Sequence, residues 1–409
     1  MTHVSTYDEA LETVIALAAP CAVTDVDVWA SLDRHARIAE AVRTGIDLPP
    51  FHRSMMDGYA VHQADLDTQA PLAIVDDIRA GESPRCDLSP GKVAKVRTGA
   101  PVPNGAAAVV RQEWVDVIDD KAIRIVRPVR DGESIQPAGE DAKAGHVILE
   151  PGSVLDPQTQ TILRAAGIGQ VRVYKPCRVA IIATGSELVS SVNTPLQRGQ
   201  IYAASDAFLA GAVRDAGATV TDIAFIQDDL RSIEQAITAH LGAVDYILLT
   251  GGASVGDTDF VKAAVRNIAG VDQLPVERVW MRPGSPFIAA RAHGTTIFGM
   301  SGNPAACFVQ FHVLALHAIR RTLGHPSDTF PLSAILSRDL AIKPVKHVRF
   351  HRGRARLDGT TLVVEPQLNQ SSGILSGLSS VNAIIRLDQS TYQKGETVPL
   401  LFTRNPLVD

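Results

Sequence analysis

The chain holds 409 residues, and 39 Lys and Arg against 44 Asp and Glu leave a net charge of −5, a mild acidity that excludes a general nucleic-acid binder. Hydrophobic residues at 45% and charged ones at 20% exclude a disordered or fibrous chain. No apolar run approaches the ~18 residues of a membrane span, and MTHVSTYDEALETV is acidic where a signal peptide is basic and then apolar, so a cytoplasmic protein with no membrane partner and roughly two to four domains is expected.

The first predicted element is a helix on Leu11, Val14, Ile15 and Ala18, ended by Pro20, and a second helical stretch covers about 28–42 before the Leu48-Pro49-Pro50 break. From Pro50 to about 127, short apolar runs (LAIVDDI, KVAKVRT, AAAVVRQ, AIRIVRPV) alternate with Gly and Pro clusters, which predicts a small β-rich domain. Within it, Ser54-Met55-Met56-Asp57-Gly58-Tyr59-Ala60 reads as too irregular for a core element, and Arg97-Thr98-Gly99-Ala100-Pro101 reads as a turn. Residues 130–175 are punctuated by Gly and Pro.

The texture then changes. RVAIIAT, TDIAFI and DYILLT are nearly continuous apolar runs, as parallel strands buried on both faces must be, and they alternate with the helical segments DAFLAGAVRDAG, DLRSIEQAITAHLG and TDFVKAAVRNIAG. This alternation predicts a doubly wound α/β domain at about 176–325. A last helix from Pro304 places Phe308, Phe311, Ala315 and Ala318 on one buried stripe. After Gly324-His325-Pro326, the runs LSAILS, KHVRFHRGRARL, TTLVVEP, NAIIRL and TVPLLF predict a small β-barrel or sandwich.

Cys21, Cys86, Cys177 and Cys307 lie at least 65 residues apart, so neither a zinc ribbon nor a disulfide framework can be built from their spacing. His347 and His351 fall in a strand pattern, which disfavours ligation by that pair. Lys343, Lys346, Arg349, Arg352, Arg354 and Arg356 form an acid-free basic stretch, read as a solvated sheet face in preference to a nucleic-acid surface.

In an open α/β sheet ligands bind beyond the carboxyl ends of the strands. RVAIIAT runs into Thr184-Gly185-Ser186-Glu187, and DYILLT into Gly251-Gly252-Ala253-Ser254-Val255-Gly256-Asp257-Thr258-Asp259. Gly-rich turns at helix starts present backbone N–H groups suited to phosphate. The second loop mimics a P-loop, but Asp257 stands where the phosphate-binding Lys would be, which disfavours triphosphate hydrolysis by that mechanism. Glu187, Asp257 and Asp259, with Asp228 and Asp229 after TDIAFI, instead offer carboxylates at one sheet edge, as a divalent cation bound to a pyrophosphate requires. Singly, each is better explained as a helix cap or solvated loop residue; Glu187 and Asp259 together favour the site.

Taken in order, PPFHRSMMDGYAV, VRTGAPVPNGAAAVVRQE, GEDAKAG, RVAIIATGSELV, TGGASVGDTDFVK, MRPGSPF, GMSGNPAACF and QSSGILSGL, spread over residues 49–378, resemble the MoeA/gephyrin E-domain family, the molybdopterin molybdenumtransferases. The resemblance implies an elongated multidomain α/β subunit. Its parts are a linker and dimerisation domain of residues 1–47 and 128–175, a β-rich domain of 48–127, a doubly wound molybdopterin-binding domain of 176–325, and a C-terminal β-barrel of 326–409. It further implies insertion of molybdenum from molybdate into adenylyl-molybdopterin with release of AMP, assisted by Mg²⁺ or another divalent cation. A homodimer whose cleft is shared between subunits is implied, with a molybdopterin adenylyltransferase as a candidate partner.

Carried over by motif, the catalytic positions fall on Asp57, Thr98, Glu187 and Asp259, and the metal positions on Glu187, Asp228 and Asp259. Substrate and pterin contacts fall on Thr184, Gly185, Gly251, Gly252, Ser254, Gly256, Asp141, Asp228, Arg278, Arg282, Pro304 and Ser372. The chain departs from the family at Ser186 (usually Asp), Arg278, Arg282 and Ser285 (usually Lys), Ser301 (usually Pro) and Ser371 (usually Gly). Arg for Lys keeps the charge and replaces a point by a planar fork, whereas Ser285 loses a cation. Two rival readings are a molybdopterin adenylyltransferase, whose fold the α/β domain shares, and a non-catalytic pterin-binding scaffold.

Overall fold

The computed structural model describes residues 4–29, 36–251, 260–326, 329–344 and 346–404. The chain forms two compact units, one of residues 25–32 and 40–171, the other of 1–24, 33–39 and 172–409.

The first unit is built on a six-stranded sheet in the order Ala106–Arg111, Gly58–His62, Lys92–Val96, Leu72–Ile78, Ala122–Ile125, Val115–Asp119. Alternation divides its apolar residues between two faces, Tyr59, Val61, Val93 and Val110 on one and Ala60, Ala94, Val96 and Val109 on the other. The segment expected to be irregular therefore ends in a central strand. Gly58 is required there because a Cβ would stand 2.0 Å from the Val110 carbonyl oxygen of the neighbouring strand. The helix expected over 28–42 is absent from the described residues of that stretch. Val28 N–H donates to the Gly169 carbonyl, Ile38 bridges to Val173, and Val42–Arg43 pairs with Val147–Leu149, so β-pairing overrides a helical spacing of branched residues.

In the second unit, Thr219–Ile226, Arg178–Thr184, Tyr246–Thr250 and Thr295–Met300 lie parallel in that order, and Ile288–Ala292 adds an antiparallel edge. Ile181, Leu248 and Phe298 point to one apolar cluster while Ile182, Leu249 and Ile297 point to the other. Burial on both faces is the reason Arg178–Thr184 and Tyr246–Thr250 read as unbroken apolar runs; TDIAFI, expected to be buried likewise, lies in the edge strand Thr219–Ile226, where every residue is half-buried or exposed. Helices Ser205–Asp215, Leu230–His240 and Phe260–Ala269 follow the first three strands in sequence. From Pro304 the chain is helical to Thr322, with Phe311–Ala315 underwound into a π segment, and Phe308, Phe311, Ala315 and Ala318 are buried as the periodicity predicts.

The C-terminal strands close on themselves. Val348–Asp358, Thr361–Pro366, Leu332–Leu336, Thr397–Phe402 and Ala383–Leu387 pair in succession, and the last returns to pair with the first. A closed ring leaves no free edge, which defines a barrel. Met281–Arg282 leaves the α/β domain and pairs in parallel with Val348 and Arg349 of the barrel. Helix Tyr7–Ala16 packs on the same unit: the Tyr7 hydroxyl donates to the Val313 carbonyl at 3.0 Å, and Asp8 accepts two bonds from the Arg386 guanidinium.

Among the described residues no helix is long and apolar enough to cross a membrane. Three buried histidines of this unit, His312, His317 and His351, are held neutral by burial, which pushes each pKa down to about 4. Between pH 6.5 and 4 the unfolded chain takes up protons at these positions that the folded chain refuses, so stability must fall as pH falls through that window. The expected loss is about 1.4 kcal/mol per pH unit for each histidine, measurable as a decline of Tm on acidification that His317→Gln makes shallower.

Candidate functional site

The carboxyl ends of the four parallel strands bring Thr184, Asp228, Gly251 and the 301–304 turn to one edge of the sheet. The loops approach so closely that side chains are excluded. At Gly251, with φ of +97°, a Cβ would stand 2.0 Å from the Thr184 carbonyl oxygen, and at Gly302 one would stand 3.0 Å from the Gly251 Cα. Thr184, Glu187, Tyr202, Ser205, Thr250 and Pro304 are among the residues lining a cavity here.

Among the described residues, several buried polar atoms at this edge have no hydrogen-bond partner: Thr184 Oγ1, Asp206 Oδ1, Asp228 Oδ1 and Asn303 Oδ1. Such atoms are costly unless something satisfies them. Burial raises the Asp228 pKa above the usual carboxylate range, and the charges of Glu187 and Asp229 raise it further. An acid pair under this strain fits a divalent cation. Among the described residues no group of three or more metal-ligating side chains assembles; Gly252, Ser254, Gly256, Asp257 and Asp259 lie outside the described residues.

A second cavity, of about 440 Å³, lies where the α/β domain meets the barrel. Arg282, Ser285 and Ser301 line it from one side, and Arg349, His351, Gln370 and Ser372 from the other. Among the described residues no carboxylate lines it. Burial lowers the Arg349 pKa, with Arg282 adding repulsion; Arg349 Nη2 donates to the Lys343 carbonyl at 3.0 Å, a neutral acceptor, so the pair favours an anion. Arg278 stands just behind, donating from Nε to Ser285 Oγ at 3.3 Å, and Ser285 donates to the Val279 carbonyl at 2.8 Å. The position lacking the cation thus serves as a link between Arg278 and its own backbone.

The basic stretch is only partly a solvated face. Arg354 and Arg356 are exposed, but Arg352 is 1% exposed. Its guanidinium donates to the carbonyls of Asn369 and Ser371 at 3.3 and 3.0 Å, and of Ile374 at 3.3 Å. Gln370 completes the clamp, accepting from Arg352 N–H at 3.0 Å and donating to its carbonyl at 2.8 Å. Arg352 therefore shapes the loop that carries Ser372. The sequence does not single out Arg349, His351 and Gln370 as site residues; strand alternation groups Arg349 with His351 on one face, but it places buried Arg352 with exposed Arg354 and Arg356 and so cannot separate them.

In the first unit Asp57 and Thr98 are brought together. Thr98 donates to Asp57 Oδ1 from both its backbone N–H and its hydroxyl, each at 2.8 Å. The backbone bond, then the hydroxyl bond, holds the exposed Asp57 carboxyl below its ordinary pKa. The geometry comes from Ser54, whose hydroxyl donates to the Met56 carbonyl, and from Gly99, whose N–H donates to the Ser54 carbonyl. Asp141 occupies a separate exposed turn, its N–H donating to the Leu48 carbonyl at 2.9 Å.

Three family descriptions match the chain: MoeA N-terminal region (domain I and II) over residues 5–167, probable molybdopterin binding domain over 180–321, and MoeA C-terminal region (domain IV) over 333–402. A molybdopterin molybdenumtransferase of Bacillus subtilis is 33% identical over 390 residues, covering 92% of this chain and 90% of that protein. Molybdopterin molybdenumtransferase 2 of Mycobacterium tuberculosis is 35% identical, covering 85% and 87%. The crystal structure of a molybdopterin biosynthesis MoeA protein from Pyrococcus horikoshii OT3 superposes with a TM-score of 0.81 at 28% identity, covering 98% of this chain and all of that one.

Gly251→Ala tests the tight edge directly. The positive φ and the 2.0 Å clash together should cost about 2 kcal/mol or more, read as a lower Tm, and should displace Thr184 enough to remove ligand binding at this cavity, read by calorimetry.

Proposed function

Because the chain belongs to the molybdopterin molybdenumtransferase family, we propose that it inserts molybdenum from molybdate into adenylyl-molybdopterin, releasing AMP in molybdenum cofactor biosynthesis. The observation that carries this reading is the adjacency of two unlike cavities across the 301–306 segment. One is a Gly-rich strand edge with carboxylates, whose enclosed cavity of about 50 Å³ is suited to a phosphate group of the pterin substrate. The other is an acid-free pocket of two arginines, suited to molybdate.

In this reading Thr184, Gly185 and Gly251, with Gly252, Ser254 and Gly256, hold the pterin and phosphates by backbone N–H groups, and Pro304 walls the cavity. Arg282 and Ser372 hold the molybdate, with Arg278 behind them, and Asp141 contributes to substrate binding. A divalent cation such as Mg²⁺, held by Glu187, Asp228 and Asp259, would neutralise the pyrophosphate and make AMP a better leaving group. Asp57, kept ionised by Thr98, acts on the substrate from the first unit.

Its role places it in the partner's cleft of a homodimer, as the family resemblance suggests. The same resemblance supports a cytoplasmic location and supply of the substrate by a molybdopterin adenylyltransferase.

Purified protein given adenylyl-molybdopterin, Mg²⁺ and molybdate should release AMP and yield a cofactor that activates an apo-molybdoenzyme; pterin binding without AMP release contradicts the proposal. Asp57→Ala should lower turnover by about a hundredfold or more while pterin affinity stays nearly unchanged, and a large loss of pterin affinity would contradict its assigned role.

A further inference from the structure

The two walls of the arginine pocket that come from the α/β domain are separate loops, residues 282–286 and the turn at 301. The hairpin of Ile288–Ala292 and Thr295–Met300 brings their near ends together, Ile288 opposite Gly299, but residues 282–286 and 301 lie beyond its last register pair. One fully buried side chain spans them. Gln310, at the last α-helical position before the π segment, is 0% exposed. Its Oε1 accepts from the Ser301 N–H at 2.8 Å, and its Nε2 donates to the carbonyls of Gly284 at 2.8 Å and Pro286 at 2.5 Å.

The fit is specific. Gly284 has φ of +90°, and a Cβ there would stand 2.5 Å from Gln310 Cγ, so the loop presses its bare backbone against the amide. Ser301 supplies a backbone donor that a proline at this position would lack, and its hydroxyl accepts from Asn303 N–H at 3.2 Å. The amide's donor and acceptor ends are therefore both used, on different loops. The π turn just after Gln310, underwound relative to an α-helix, is a device common at functional sites.

We propose that Gln310 is a positioning residue for the oxyanion, setting the distance between the Arg282–Ser285 loop and Ser301 and so the affinity of the pocket for a tetrahedral anion. It touches no substrate; it acts through the two loops. The proposal rests on the reading of this cavity as the molybdate site.

Two variants test it. Gln310→Met keeps the volume and removes all three hydrogen bonds. Gln310→Glu keeps the acceptor for Ser301, loses the donor to Gly284 and Pro286, and brings a carboxylate behind an anion pocket. Molybdate binding to the full-length protein is measured by calorimetry, with Tm recorded for each protein and KM for molybdate and for adenylyl-molybdopterin determined separately. The expected result is a rise of about tenfold in molybdate Kd and KM for Gln310→Met and a larger rise for Gln310→Glu. KM for adenylyl-molybdopterin should stay within about twofold and kcat should change little.

A molybdate Kd within twofold of the parent protein in both variants would overturn the positioning role while leaving the pocket's assignment standing. An equal weakening of both substrates would reduce Gln310 to a structural residue and also overturn it. If the parent protein itself binds no molybdate, the assignment of the cavity fails, and the positioning role with it.

Discussion

Met281–Arg282 leaves the α/β domain and adds two residues in parallel to the barrel strand that begins at Val348. That short register determines which side chains of the α/β domain and the barrel, which share one apolar core, meet in a cavity. It sets Arg282 beside Arg349, and the strand's alternation then turns His351 toward the same cavity. The neighbouring contacts reinforce it: Ser5 pairs with the backbone on either side of Val279, Tyr7 meets Phe350 edge to face, and Asp8 holds Arg386. A solvent-facing ion pair contributes little by itself. Here it closes a contact already fixed by backbone pairing and aromatic packing, so the helix at the start of the chain belongs structurally to the module that carries the arginines.

Charge is divided between the two cavities of this unit in a way the net value of −5 conceals. Carboxylates collect at the strand edge, where burial and then the charges of Glu187 and Asp229 raise the cost of ionising Asp228. Cations collect at the barrel seam, where burial and then repulsion from neighbouring arginines lower the pKa values of both His347 and Arg349. A substrate pair consisting of a pyrophosphate with its metal and a free oxyanion needs both environments within reach of each other. Residues 301–306 serve as the partition, with Ser301 and Ala306 on one side and Gly302 and Pro304 on the other.

Much of the fold was legible in the sequence because buried parallel strands cannot alternate: RVAIIAT and DYILLT announced themselves as strands, and the barrel strands were readable from their turns. The hairpin Ile288–Ala292 and Thr295–Met300 was not, because its turn is the pair His293-Gly294, both at positive φ, in place of a commoner Asn-Gly signal. The stretch around Ile38 and Val42 misled because its spacing is helical while its hydrogen bonds go to distant strands. At the site, loop residues such as Thr184 and Asp57 could be picked out by motif. Arg352 and Gln310 could not, since their roles depend on carbonyls contributed by loops far along the chain and on complete burial, which no local pattern encodes.

The central claim is that the cavity between the α/β domain and the barrel is where the metal oxyanion waits beside the pterin. Anomalous diffraction from crystals of this protein soaked in tungstate, an electron-dense analogue of molybdate, tests it most directly. The account predicts an anomalous peak within hydrogen-bonding reach of Arg282, Arg349 and Ser372. A peak at the Glu187 edge alone, or on surface arginines such as Arg354 and Arg356 with the cavity empty, would contradict it.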